Sequence, residues 1–180
     1  MKIDAPKTRK QLRRFIGMVN YYRDMWPKRS EILAPLTAFT SSSNPWRWTE
    51  IEDNSFKEMK RLMAREKLLA FPNFNKPFVI HTDTSKTQLG SVISQEGKPI
   101  AFYSHKLNPA QTRYTTTERE LLSIVETLKD FRNILFGQQL EILTDHENLV
   151  QKSLCSDRVM RGRLYIEEYS PTLVYQKGYR

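Results

Sequence analysis

The stretch Lys76-Pro77-Phe78-Val79-Ile80-His81-Thr82-Asp83-Thr84-Ser85-Lys86-Thr87-Gln88-Leu89-Gly90-Ser91-Val92-Ile93-Ser94-Gln95 decides the fold. Upstream of it, apolar residues recur at helical spacing; from Phe78 the pattern becomes that of strands. Residues 78–82 form a first β-rich run, ending at Asp83. Residues 89–95 and 99–104 form two more, joined by Glu96-Gly97-Lys98, a short connection that predicts an antiparallel hairpin. A helix is expected over 117–135, with Leu121, Ile124, Val125, Leu128 and Phe131 on its buried face and Gly137 closing it. Residues 140–144 are a fourth strand ending at Asp145, 146–168 are mainly helical, and 172–176 are a fifth strand. Strand, long helix, strand implies a parallel pair. The expected class is therefore α/β, a mixed five-stranded sheet with flanking helices.

The residues before this stretch read as helices. Over 8–26, Leu12, Phe15, Ile16, Val19 and Tyr22 share one face, with Thr8 as N-cap and Pro27 as terminator. Lys10, Arg13, Arg14 and Arg23 occupy other positions, which makes this helix basic. A short helix is expected over 30–39. The polar break Thr40-Ser41-Ser42-Ser43-Asn44-Pro45 then predicts a boundary between a helical segment, 1–45, and a sheet domain, 46–180. A further amphipathic helix is expected over 49–66, capped by Thr49, with Phe56, Met59, Leu62 and Met63 as its stripe.

The 180 residues carry a net charge of +9 and 39% hydrophobic residues, enough for a core and too many for wholesale disorder. Nine Lys/Arg against two Asp/Glu between Met1 and Arg29 concentrate +7 of that charge in the first helix and its flanks. Such a distribution favours a polyanionic partner, chiefly nucleic acid, through phosphate contacts of Lys10, Arg13 and Arg14. No apolar run is long enough for a bilayer, and the first residues lack the apolar core of a secretory signal. The single Cys155 fits a reducing compartment, so the protein is expected inside the cell, not secreted.

Asp83 and Asp145 close strands expected to be parallel neighbours, so both emerge at one sheet end. Glu120, in the first turn of the crossing helix, can reach the same point. Three converging carboxylates repel unless cations hold them, and oxygen ligands suit Mg²⁺ or Mn²⁺. Each residue also has an ordinary reading: an Asp after a strand forms turns, and an early helical Glu complements the helix dipole.

Residues 76–95 resemble the opening of the ribonuclease H domain of gypsy-type long-terminal-repeat retrotransposons. Residues 99–107, 114–125 and 144–146 are similar to that domain's third strand, first helix and next strand end. Residues 12–23, Pro35-Leu36-Thr37 and Trp46-Arg47-Trp48 resemble the reverse-transcriptase thumb and connecting region. The resemblance implies a ribonuclease H-like fold and endonucleolytic cleavage of RNA in RNA–DNA hybrids with two Mg²⁺ (or Mn²⁺) ions. It implies partners in a template–primer hybrid and the remainder of a retroelement polyprotein, in a cytoplasmic particle or the nucleus, with no membrane. Its acidic set falls on Asp83, Glu120 and Asp145. Glu118 is the rival of Glu120, roughly 200° away on a helix, so one of the two faces the site. A fourth acid belongs beyond the fifth strand and is missing from the 180 residues; an inactive remnant that binds nucleic acid is the alternative. The polymerase Tyr-x-Asp-Asp element has no counterpart, so this polypeptide alone is not expected to make DNA. Gln88 stands where that family usually has Gly, and Gly162 and Tyr165 lie where a Trp is common.

His81, His105 and His146 show no metal-ligand spacing, although His146 adjoins Asp145. Tyr21 and Tyr22 are expected in the core, not on a base-stacking surface.

Overall fold

The computed structural model describes residues 3–64, 69–150 and 156–176, and of Asn148 and Val150 the backbone alone. Cys155 and the stretch 177–180 lie outside these residues.

Helix α1 spans Arg9–Tyr21, and the Thr8 hydroxyl caps it by accepting from the Gln11 amide at 3.3 Å. Leu12, Phe15, Ile16 and Val19 are its buried face. The helix ends well before Pro27; a 3₁₀ turn, Arg23–Met25, follows and delivers the buried Trp26. This early end turns Tyr21 and Tyr22 outward, 80% and 49% exposed, which corrects their expected place in the core. Helix α2 spans Arg29–Thr37, and α3 spans Glu50–Ala64 behind Thr49, whose hydroxyl accepts from the Ile51 amide at 3.3 Å.

These helices share one apolar cluster, in which Phe56, Met59 and Leu62 of α3 pack with Leu12, Phe15, Ile16, Val19, Leu33 and Leu36. Beyond the polar break over 40–45, α3 thus shares its apolar cluster with α1 and α2, and a second cluster is built from residues further along the chain. The physical reason is that the α3 stripe finds its apolar partner in α1 and α2.

The sheet unit begins with β1 (Phe78–Thr84), β2 (Gln88–Gln95) and β3 (Lys98–Lys106). Gln95 pairs with Lys98, so the turn is the two residues Glu96 and Gly97, with φ of 50° and 74°. Positive φ at both positions is the mirror-image turn that matches strand twist, and Gly97 adopts it without a Cβ clash. Pairing of β2 with β3 slips between Ile93 and Ser94, opposite Pro99.

Helix α4 spans Thr116–Asp130, and after a break at the buried Phe131 a short α5 covers Arg132–Leu135. Strand β4 (Leu140–Thr144) runs parallel to β1, with Phe78 opposite Leu140 and His81 opposite Leu143. A short α6 (Glu147–Val150), α7 (Asp157–Glu167) and β5 (Thr172–Tyr175) complete the unit, β5 lying parallel to β4. The strand order is β3-β2-β1-β4-β5, the mixed five-stranded sheet expected.

The core lies between the sheet and α4, with Phe78, Ile80, Ile93, Ile124, Leu128 and Ile142 fully or almost fully buried. Polar contacts fix the helix over the sheet: Ser123 donates to the Gly90 carbonyl at 3.0 Å, and Ser91 and Thr127 share a bond of 2.7 Å. Helix α7 comes so close to α4 that a Cβ at Gly162 would meet Leu121 Cδ2 at 2.7 Å. A Trp at that position requires Leu121 or α7 to shift.

The two units meet through Ser30. Its amide donates to Ser104 Oγ at 3.0 Å and its hydroxyl to Gln88 Oε1 at 2.6 Å. Beside this seam, Arg23 pairs with Asp130 at 2.9 Å.

Candidate functional site

Strand β1 extends one residue past Asp83, to Thr84, and the alternation of a strand decides what each of its last residues faces. Thr82 and Thr84 point to the α4 side, as Phe78 and Ile80 do. There Thr82 donates to Glu120 Oε2 at 2.7 Å and Thr84 donates to Oε1. Glu120 is 4% exposed, and the two hydroxyls supply the hydrogen bonds that a buried carboxylate requires. Asp83 points to the opposite side. Its neighbour across β2 is Gly90, where a Cβ would lie 2.8 Å from the Asp83 carbonyl oxygen, so only glycine lets the strands stay this close.

Asp145 follows β4 at the same end of the sheet. One ligand atom each from Glu120, Asp145 and His146 lies within 4.8 Å of the others, and Asp145 Oδ1 is 2.6 Å from His146 Nδ1. Among the described residues, this is the group of acids and histidines close enough to share one ion. Asp83 is not part of it. Asp83 instead lines a cavity of about 500 Å³ together with Asp145, His81, Gln176, Pro27 and Lys28. Its Oδ2 lies 3.4 Å from Lys28 Nζ. Asp145 is thus the hinge of the arrangement, close to Glu120 on one side and sharing a cavity with Asp83 on the other.

Glu118 has a different occupation. Its carboxylate accepts from the Thr115 amide at 2.9 Å, while the Thr115 hydroxyl accepts from the Glu118 amide at 3.2 Å. This reciprocal cap opens α4, and Arg158 pairs with Glu118 at 2.9 Å. The Thr115 amide, helped by Arg158 and opposed by partial burial, holds the Glu118 carboxyl below its ordinary value of 4.5. Of the two rival glutamates, Glu120 therefore faces the sheet end and Glu118 secures the helix that carries it.

Oxygen donors from Glu120, Asp145 and Asp83 suit a hard divalent cation, and the Thr82 and Thr84 bonds leave lone pairs on Glu120 unused. A histidine nitrogen beside them is also accepted by Mn²⁺. The donor set therefore fits Mg²⁺ or Mn²⁺. His146, which has no metal-ligand spacing in the sequence, joins this group through its adjacency to Asp145.

Of the basic residues singled out on α1, Lys10 and Arg14 are exposed. Arg13 spends its guanidinium on the backbone carbonyl of Thr40, tying α1 to the turn after α2. His105 lies over Tyr103, ring centroids 6.4 Å apart, away from the acidic group. Among the described residues, no helix is long and apolar enough to cross a membrane.

Comparison with known proteins adds three findings. The Tf2-3 transposon polyprotein of Schizosaccharomyces pombe is 31% identical over 185 residues, which covers 96% of this chain and 14% of the relative. The chain thus spans about a seventh of the curated relatives it matches. The foamy viral protease-reverse transcriptase solved with dsDNA aligns over 99% of this chain and 40% of its own, at a TM-score of 0.83 and 24% identity. The same enzyme solved with an RNA/DNA hybrid gives a TM-score of 0.82 at 22% identity, over 99% of this chain and 26% of its own. At such identities the likeness speaks for the fold, helical unit included. The family described as "RNase H-like domain found in reverse transcriptase" matches residues 48–142, more than half of the 180, and the chain belongs to that family.

Proposed function

We propose that this chain is the nuclease segment of a retrotransposon reverse transcriptase, cutting the RNA strand of RNA–DNA hybrids. In this reading Asp83, Glu120 and Asp145 hold two divalent ions, Mg²⁺ or Mn²⁺. The observation that carries it is the approach of Glu120 and Asp145 to within 4.8 Å, at the sheet end to which Asp83 also belongs. When bound, such ions supply an activated water and stabilise the leaving oxygen. The chain's own residues do the positioning. Thr82 and Thr84 fix both oxygens of Glu120, the Thr115–Glu118 cap fixes the start of α4, and Gly90 keeps Asp83 at the cavity wall. Lys10 and Arg14 on α1 serve as backbone-phosphate contacts, with Arg13 shaping that surface through Thr40. The polyprotein relatives imply that the remaining parts of such a polyprotein are partners.

One observation favours a second reading, a nucleic-acid-binding module without catalysis: Asp83 is engaged by Lys28 instead of standing with Glu120 and Asp145. Incubation of the full chain with a labelled RNA–DNA hybrid and Mn²⁺ separates the two. Cleavage that falls at least a hundredfold in Asp83→Asn and in Asp145→Asn supports catalysis. Equal cleavage by wild type and both variants defeats it. Salt-sensitive hybrid binding without cutting establishes the second reading.

A further inference from the structure

The cavity wall beside Asp83 is supplied by the helical unit, and the residue it supplies is a cation. Lys28 has left-handed backbone, φ 51° and ψ 22°, and initiates α2. Few non-glycine residues adopt this conformation unless their surroundings hold them there. The holding contacts are the next two residues. Arg29 donates to the Ser104 carbonyl at 3.3 Å. Ser30 engages Ser104 through its amide at 3.0 Å and Gln88 through its hydroxyl at 2.6 Å. With the one Ser30 hydroxyl proton given to Gln88, the 2.6 Å contact between the two serine oxygens has Ser104 as donor. Both Gln88 and Ser104 are buried, so this latch is protected from water. Gln88 and Ser104, residues of paired strands in one hairpin, make it together. Pro27, on the other side of Lys28, lines the same cavity.

We propose that Lys28 is a resident counter-cation for Asp83, which a divalent ion must displace, so that the helical unit sets how tightly the site takes its ions. The proposal rests on the ion-holding reading above. Lys28 Nζ stands 3.4 Å from Asp83 Oδ2. A cation at that carboxylate screens it from a second one and repels any ion bound at Asp145 across the cavity. Other charged or titratable groups near the pair are His81, Tyr103 and Asp145 in the same cavity and Glu31 in the adjoining groove. Both members of the pair are mostly exposed, so the competition is modest. It amounts to roughly two- to fivefold in ion affinity, the size of an exposed ion pair.

The test is Mn²⁺ binding to the full chain without nucleic acid, followed by electron paramagnetic resonance of the free ion. Lys28→Met is expected to bind Mn²⁺ two- to fivefold more tightly than wild type, and Lys28→Arg, which keeps the charge, to stay near wild type. Gln88→Ala opens the latch and is expected to move toward Lys28→Met. In an Asp83→Asn background the effect of Lys28→Met is expected to vanish, because the two act as one pair. Wild-type binding that Lys28→Met leaves unchanged or weakens overturns this proposal alone. No Mn²⁺ binding by any variant overturns it together with the reading of the site as an ion holder.

Discussion

Aromatic rings take a larger share of the helical unit's core than of the sheet unit's, where branched aliphatic chains predominate. In the first, Phe15 and Phe56 lie 4.8 Å apart between centroids, Trp46 stacks on Trp48 at 5.8 Å, and Trp26 is buried nearby. In the second, Ile80, Ile93, Ile124, Leu128 and Ile142 fill the space between α4 and the sheet. The two apolar clusters do not merge, and the seam between them is held by Ser30, Gln88, Ser104 and the Arg23–Asp130 pair. Hydrophobic burial is indifferent to direction, whereas hydrogen bonds are not. Each unit therefore draws its stability from its own core, while the seam fixes how one unit faces the other and where Lys28 stands.

The strongest way to break this comparison is to cut each core once. Phe56→Ala and Phe78→Ala each remove a buried ring, at a cost of about 3–5 kcal/mol. All three Trp residues lie in the helical unit, so tryptophan emission reports that unit. In urea, Phe56→Ala is expected to shift the emission transition and Phe78→Ala the far-ultraviolet dichroism of the sheet. Coincident shifts of both signals in both variants mean that the units unfold as one.

The seam comes next. Gln88→Ala removes the acceptor of the half-buried Ser30 hydroxyl, which can turn to Ser104 Oγ at 2.6 Å, so the cost is about 0.5–1.5 kcal/mol. Faster amide exchange at Ser30, with both core transitions in place, is the expected signature; unchanged exchange shows that the seam is held by something else. The smallest effect is local to the sheet unit. Thr115→Ala removes the cap of α4 and costs about 1 kcal/mol at neutral pH. Glu118, whose carboxyl sits below its ordinary 4.5, contributes fully above that value and loses its contribution as acid protonates it below. The gap in urea midpoint between wild type and Glu118→Ala is therefore expected to narrow on acidification. A gap that stays constant through that range removes Glu118 from the cap.

Much of this was legible in the residues because local rules were obeyed. Thr8 and Thr49 cap where their hydroxyls predict, and the stripe Leu12, Phe15, Ile16, Val19 is buried as spaced. The parallel pairing of β1 with β4 brings Asp83 and Asp145 to one sheet end. What escaped depends on contacts between elements distant in sequence. The run over 40–45 has the composition of a boundary, yet α3 beyond it packs back onto α1. Asp83 reads as the residue after a strand; it lies inside one, and alternation turns it away from Glu120 toward Lys28. Lys28 itself carries no motif. Its position follows from a left-handed backbone and a latch to a hairpin some sixty residues downstream.

The slip between Ile93 and Ser94 opposite Pro99 bears on how the molecule behaves among copies of itself. β3 is an outer strand, and an outer strand with an even row of amides invites a neighbouring chain to add to it. Here the row is interrupted: proline has no amide to offer, the extra residue bends the ribbon, and Lys98 and Lys106 place a charge at either end. The irregular rung thus works as a guard against edge-on stacking between copies of the sheet.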